Sequence, residues 1–455
     1  MRGKLAAGIV LIALAWTGGM IAPSASQART TPIRHVVILY LENHSFDNLF
    51  GFWCDSHHRR CPDGGMPSSV TLSSGAVVKP SDDPDVPPVV KHTVASQVAA
   101  INGGKMNGWQ HINGCHGPDY RCISGYRPGK MPNMIALATR FALSDHTFSM
   151  GDSPSWGGHL YVAMASLDGF LGDTPQPDKK LHLHGPGWGC NSGRLALWQP
   201  PGGGRVRKVP ACVPDPALQI ANGGAFRPTP VKHAPTIMDR LSAAGLSWRI
   251  YGATLHSQGY YWSICPSLAD CLDTSQVHNL VPDGRFFSDA AKGNLPSFSI
   301  ITPGGKYVGD SEHNGFSMTA GDDWLGQIAS AVMKSSQWRS TVLFITWDDC
   351  GCFYDQVPPG INPDGTQQGP RAPLVIVSPY AKPGYTDSTA TTFAGILGYV
   401  EKNFGLKPLG VNDAAAYPFT HAFDYSHAPL EPIPMVNRPV PRGDHILWNQ
   451  AKEDT

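Results

Sequence analysis

The chain has 455 residues and carries 35 basic and 35 acidic side chains, so it has no formal net charge at neutral pH. That balance excludes a general attraction to nucleic acid or to an anionic membrane surface, and leaves specificity to a local site. Ten cysteines among 50 glycines and 41 prolines describe a loop-rich chain with a disulfide framework, which suits an oxidising compartment.

The first residues set Arg2 and Lys4 before an apolar stretch, residues 5–16, and close on the small-x-small run Ser26-Gln27-Ala28. This pattern predicts a secretory signal peptide over residues 1–28, because the apolar stretch is too short and too interrupted by Gly18, Gly19 and Pro23 for a membrane span. Its removal takes Arg2 and Lys4 away and leaves 33 basic against 35 acidic groups. No later segment approaches spanning length, so the expectation is a secreted or periplasmic domain, residues 29–455, without stable membrane insertion.

Short apolar runs follow at residues 35–41 (HVVILYL), 247–251 (SWRIY), 297–301 (SFSII), 341–346 (TVLFIT) and 372–378 (APLVIVS). Unbroken apolar runs of this length fit strands of a mostly parallel sheet buried on both faces. Between them, Leu325, Ile328 and Val332 mark a helix over 323–334. Phe393, Ile396, Leu397, Val400 and Phe404 mark another over 389–404, stopped by Gly405. Strands alternating with helices predict a layered α/β fold. Residues 62–90 read as an ordered loop, residues 169–230 as a Gly/Pro-rich cap, and the Pro-rich tail after Pro418 as a surface run. Proximity in sequence suggests the disulfides Cys54–Cys61, Cys115–Cys122, Cys190–Cys212 and Cys265–Cys271, leaving Cys350 and Cys352.

In open α/β sheets, ligands sit beyond the carboxyl ends of strands. Residues 35–41 run into Glu42-Asn43-His44, and 341–346 run into Trp347-Asp348-Asp349. Residues 297–301 lead through a loop to Glu312-His313. Glu42, Asp348 and Asp349 would crowd three carboxylates together, which favours one bound divalent cation with Asn43 adding a neutral oxygen. Each residue alone also suits a plain structural role: Asp349 and Asn43 as turn caps, Glu42 as an arginine partner. Ser155 stands before a helical segment, a common place for a helix cap. The same position favours an anion, and a metal ion there would activate the hydroxyl.

These residues fall in blocks that resemble a known family. Residues 42–51 (ENHSFDNLFG), 102–108 (NGGKMNG), 154–161 (PSWGGHLY), Glu312-His313, 348–357 (DDCGCFYDQV) and 369–382 (GPRAPLVIVSPYAK) resemble, in order, the bacterial phosphoesterase family that contains non-specific phospholipases C and an acid phosphatase branch. The resemblance implies an alkaline-phosphatase-like three-layer sandwich, with a mostly parallel central sheet, helices on both faces and a cap. It implies that Glu42, Asn43, Ser155, Asp348 and Asp349 hold one divalent metal ion of unspecified identity. Ser155 would be the nucleophile, with His313 and His92 beside the phosphate. The substrate class implied is a phosphate ester, either a phospholipid or a soluble phosphomonoester. A sulfatase or phosphotransferase on the same scaffold, or a secreted binding protein that has lost catalysis, are the alternatives.

The chain departs from the family pattern at three places. His44 and Asn48 stand where Arg and His are usual, and Asp355-Gln356 replaces an aspartate–histidine pair. Gly157-Gly158-His159 stands where the nucleophile loop commonly reads Pro-Asn-Arg, which raises the question of what anchors the substrate, with His159 the candidate to take the arginine's place.

Overall fold

The computed structural model describes residues 31–178, 185–215, 218 and 230–441. Residues 1–28, expected to be a signal peptide, parts of the expected cap and the end of the tail lie outside the described residues. The central element is an eight-stranded sheet. Its strands are β1 (His35–Leu41), β2 (Ala142–Ser144), β3 (Trp248–Gly252), β4 (Leu280–Pro282), β5 (Phe298–Ile301), β6 (Thr341–Trp347), β7 (Leu374–Val377) and β8 (Tyr385–Asp387). Their spatial order is β4-β3-β5-β1-β6-β7-β2-β8. The first five strands in that order run parallel, as do β2 and β8; β7 is antiparallel to both its neighbours.

Every residue of β6 and all of β1 but His35 are buried, so the apolar runs are continuous because both faces are covered. Helices α2 (Pro132–Arg140), α5 (Arg285–Ala291) and α6 (Met318–Lys334) form one covering layer. Helices α3 (Ser155–Met164), α4 (Ile237–Ala243) and α7 (Ala394–Phe404) form the other. Tyr40 of β1 meets Phe393 edge-on at 5.8 Å, and Phe344 of β6 meets Tyr399 at 5.3 Å, which fastens α7 to the sheet. The expected sandwich of helices on a mostly parallel sheet is therefore the observed one.

The expected boundaries shift in physically explicable ways. Helix α6 begins at Met318 because the Ser317 side chain caps it, accepting from Ala320 N. Helix α7 begins only at Ala394, because Thr391 and Thr392 pair with Thr147 and Phe148 as short strands. In the cap, Gln176–Pro177, Arg194–Trp198 and Arg207–Pro210 form a small antiparallel sheet. The four suggested disulfides are all present, and Cys350 and Cys352 are free thiols, Cys352 N lying 3.2 Å from Cys350 Sγ. Among the described residues, no helix is long and apolar enough to cross a membrane.

Candidate active site

Strands β1 and β6 are neighbours in full register, Leu41 opposite Trp347, so the residues that follow them emerge side by side. Asp348 N continues the ladder to Leu41 O at 3.0 Å. The chain then turns sharply, with Asn43 at φ 67°, a left-handed conformation that asparagine tolerates better than most residues. Gly351 answers that turn: a Cβ there would lie 2.3 Å from the Asn43 carbonyl oxygen, so only glycine fits. The loops carrying Glu42-Asn43 and Asp348-Asp349 are thereby pressed together.

The carboxylates use one oxygen for structure and keep another. Asp348 Oδ1 accepts from Asn43 N and Asp349 N, both at 2.8 Å, and Asp349 Oδ1 accepts from Gly351 N at 2.6 Å. The turn-capping role that Asp349 suits alone is real, whereas the Asn43 side chain caps nothing. Yet Asp348 Oδ2, Asp349 Oδ2 and both side-chain atoms of Asn43 are buried with no hydrogen-bond partner. Unpaired buried oxygens from two acids and an amide are the donor set that a divalent cation takes, so the residues present fit such an ion. Among the described residues Glu42 pairs with no arginine; Ser155 and His159 lie against its carboxylate.

Ser155 opens helix α3 without capping it: the cap position is Pro154, which makes no side-chain cap bond. Instead, Ser155 Oγ donates to Glu42 Oε2 at 3.0 Å. One helical turn on, His159 Nε2 lies 2.8 Å from Glu42 Oε1 and 3.9 Å from Asp348 Oδ2, while Nδ1 donates to the Trp262 carbonyl at 2.7 Å. The two glycines between them allow this approach. A Cβ at Gly158 would stand 2.7 Å from Asp348 O, and one at Gly157 would stand 2.8 Å from Gly172 Cα. Tyr40 completes the wall, its hydroxyl donating to Gly158 O at 2.8 Å and its ring meeting the His159 ring edge-on at 5.0 Å.

Glu42, Asn43, Ser155, Asp348 and Asp349 are all 0 % exposed. Burial, with the charge of Asp349 adding to it, pushes Glu42 up to about 8. Burial and the neighbouring carboxylate also lift Asp348 and Asp349 well above the ordinary carboxylate range. Burial lowers His159 to about 4. Without a cation the cluster must hold protons; a divalent ion displaces them.

His92 and His313 stand together, their rings 5.6 Å apart. The His313 ring lies 5.7 Å from that of Trp262, the residue whose carbonyl holds His159. His313 Nδ1 donates to Asn314 O at 3.0 Å, His92 Nδ1 donates to Val90 O at 3.0 Å, and Asn314 ties Val90 O to Gly351 O. Burial, reinforced by His92, holds His313 down to about 3, so the ring is neutral. At 9 % exposed, His313 is the most open of these residues.

The departures from the family pattern have partners. His44 Nδ1 lies 2.7 Å from Asn48 Oδ1, so the two altered positions of the first block contact one another. Asp355 binds Arg371 Nε at 2.9 Å, and Arg371 Nη2 reaches Asp47 Oδ1 at 2.9 Å, a buried ion pair joining the loop after β6 to helix α1 (Phe46–Cys54). Gln356 N donates to Asp47 Oδ2 at 2.8 Å in the same network. Sequence reasoning missed Arg371 as a hub and His159 as a member of the acid cluster. The spacing of Ser155 and His159 on one helical face was the available signal for the latter.

Acids at adjacent ends of parallel strands thus converge on a helix-borne hydroxyl, and the comparisons with known proteins give the class: a hydrolase of phosphoric esters. Residues 33–407 match the Phosphoesterase family, and the chain belongs to it. It is 26 % identical over 466 residues to non-specific phospholipase C6 of Arabidopsis thaliana, covering 93 % of this chain and 78 % of that one. It is 23 % identical over 474 residues to the non-hemolytic phospholipase C of Pseudomonas aeruginosa, covering 92 % of this chain and 61 % of the relative. A solved protein of the alkaline phosphatase superfamily from Vibrio parahaemolyticus aligns at 11 % identity and a TM-score of 0.36, over 85 % of this chain and 71 % of the other.

Proposed function

We propose that this chain is an exported, metal-dependent phosphoric-ester hydrolase in which Ser155 attacks phosphorus. The observation that carries the reading is Ser155 Oγ, buried and 3.0 Å from Glu42 Oε2, beside two aspartates with unpaired oxygens. Glu42, Asn43, Ser155, Asp348 and Asp349 would hold one divalent cation. When bound, that ion neutralises the acids and the charge of a phosphoryl group. Four disulfides support passage through an oxidising compartment.

The chain's own groups then account for the steps. Ser155 Oγ forms a bond to phosphorus as the bond to the ester oxygen breaks. Glu42 Oε2 is placed to take the hydroxyl proton, which leaves with the departing alcohol. Water then attacks phosphorus as the bond to Oγ breaks; its hydroxyl stays on the released phosphate and its other proton passes to Ser155 Oγ. The neutral His313 ring, with Nδ1–H committed to Asn314 O, accepts protons rather than donating them. It therefore suits the resolving water better than the departing alcohol, and His92 beside it helps to frame the phosphoryl group. Charge neutralisation and positioning supply most of the acceleration in such transfers.

The relatives named as phospholipases C favour a phospholipid diester, while a serine at the nucleophile position resembles the acid phosphatase branch. One screen tests both branches: phosphocholine lipids against soluble phosphomonoesters, each with and without chelator, for the wild type and Ser155→Ala. The reading expects turnover on one class, lost with chelator and reduced at least about 10³-fold by the substitution. Near-normal turnover by Ser155→Ala would refute it.

A further inference from the structure

We propose that His159 Nε2 is a nitrogen ligand of the bound cation, which makes the centre a mixed nitrogen–oxygen site selective for borderline transition ions such as zinc or cobalt over calcium or magnesium. The proposal rests on the preceding reading that Glu42, Asp348 and Asp349 hold a metal ion.

The tautomer is fixed first. A backbone carbonyl only accepts, so His159 Nδ1, 2.7 Å from the Trp262 carbonyl, carries the proton and Nε2 presents its lone pair. An N–H committed to a carbonyl is the support that metal-bound imidazoles ordinarily have. That lone pair faces oxygens: Nε2 stands 2.8 Å from Glu42 Oε1 and 3.9 Å from Asp348 Oδ2. Once the acids are ionised they too only accept, so three acceptors converge and either a proton on Glu42 or a cation must sit among them. One donor atom from each of Glu42, His159 and Asp348 falls within 4.8 Å of the others. Adjacent ligands on an ion with bonds of about 2.0–2.2 Å are separated by roughly 3.0–3.5 Å; the observed 2.8 and 3.9 Å lie on either side of that range, so side-chain shifts of a few tenths of an ångström bring these atoms onto one ion.

An independent observation points the same way. Asp348 Oδ2, the oxygen on the His159 side, is buried and has no hydrogen-bond partner. The helix supplies the aim: Ser155 and His159 are four residues apart on α3, and they reach the two different oxygens of the Glu42 carboxylate, Oε2 and Oε1. Hard ions such as calcium and magnesium take oxygen ligands, whereas imidazole suits zinc and its neighbours. The imidazole thus moves the preference of the centre toward zinc and its neighbours. The rival role for His159 is a protonated counter-ion to Glu42, which needs no metal bond.

The test uses the full chain, stripped with chelator and reloaded with manganese for pulsed electron paramagnetic resonance. Binding of cobalt and calcium is measured in parallel by calorimetry on the wild type, His159→Ala and Asp349→Asn. The expected result is an imidazole nitrogen coupling in the wild type that is lost in His159→Ala. Cobalt affinity should fall about 100-fold in that variant and calcium affinity by less than about 3-fold. If His159→Ala does not fold, ¹⁵N-histidine labelling of the unmutated chain reports the same coupling. A bound ion with no nitrogen coupling, or equal losses for cobalt and calcium, overturns the ligand assignment and leaves the oxygen site intact. Failure of any ion to bind the wild type stoichiometrically overturns the parent reading as well, as does binding unaffected by Asp349→Asn.

Discussion

Gly158→Ala adds one methyl group at the point where helix α3 touches the loop after β6. The new Cβ would lie 2.7 Å from Asp348 O and 3.2 Å from Asp348 C and Cβ, whereas ordinary contact begins near 3.4 Å. The neighbours are backbone atoms and the root of a site side chain, so no flexible tip can yield; helix and loop must part by about 0.7 Å. Overpacking of that kind costs about 1–3 kcal/mol of stability. The larger effect falls on geometry, since the same shift carries Ser155 and His159 away from Glu42. Misplacement on the scale of 1 Å lowers turnover by roughly 10²-fold. The assay is hydrolysis of p-nitrophenyl phosphate and p-nitrophenyl phosphorylcholine beside urea unfolding, with Gly129→Ala as control because no atom lies within 4 Å of its added Cβ. A Gly158→Ala protein within twofold of wild-type turnover would refute the argument that this close approach assembles the site.

Three further outcomes follow from the same geometry. Arg371→Met removes the cation between buried Asp47 and Asp355 and should cost about 3–5 kcal/mol in urea unfolding, because two carboxylates lose their counter-charge. In chelated protein, folding keeps a proton on Glu42 up to about pH 8 that the unfolded chain has already lost, so stability falls as pH rises. His159, lowered to about 4, opposes that slope only up to its unfolded value near 6.5, so the net loss should appear between about 6.5 and 8. Melting temperatures with chelator should decline across that window, and the decline should shrink with zinc present; parallel slopes would count against the cluster as a metal site. Thiol titration should find no reactive cysteine in the native protein and two per chain in denaturant, those of Cys350 and Cys352, which are buried and unpaired. Ready modification of the native protein would contradict that burial.

Much of the scaffold was legible because burial on both faces writes strands as unbroken apolar runs. HVVILYL and TVLFIT are read to within a residue of their observed ends. That same burial conceals strand direction: nothing in LVIV distinguishes the antiparallel β7 from its parallel neighbours. Strands β2, β4 and β8 have three residues each, too few for any periodicity, and exist because a neighbouring strand offers its backbone groups. The acids were legible as a site because strand ends at one edge converge. His159 was legible only as a stand-in for an arginine and not as a member of the acid cluster, since that depends on Trp262, far away in sequence, turning a carbonyl toward Nδ1. Arg371 escaped for a similar reason: its three acidic partners, Asp47, Asp63 and Asp355, come from separate segments.

The most direct measurement is chemical trapping at the hydroxyl itself. Wild-type enzyme given a ³²P-labelled phosphomonoester and quenched in acid within its first turnovers should carry acid-stable label on a single peptide, with the phosphate on Ser155. Label on another residue, or turnover with oxygen from water entering phosphate and no covalent enzyme form at any time, would contradict attack by Ser155.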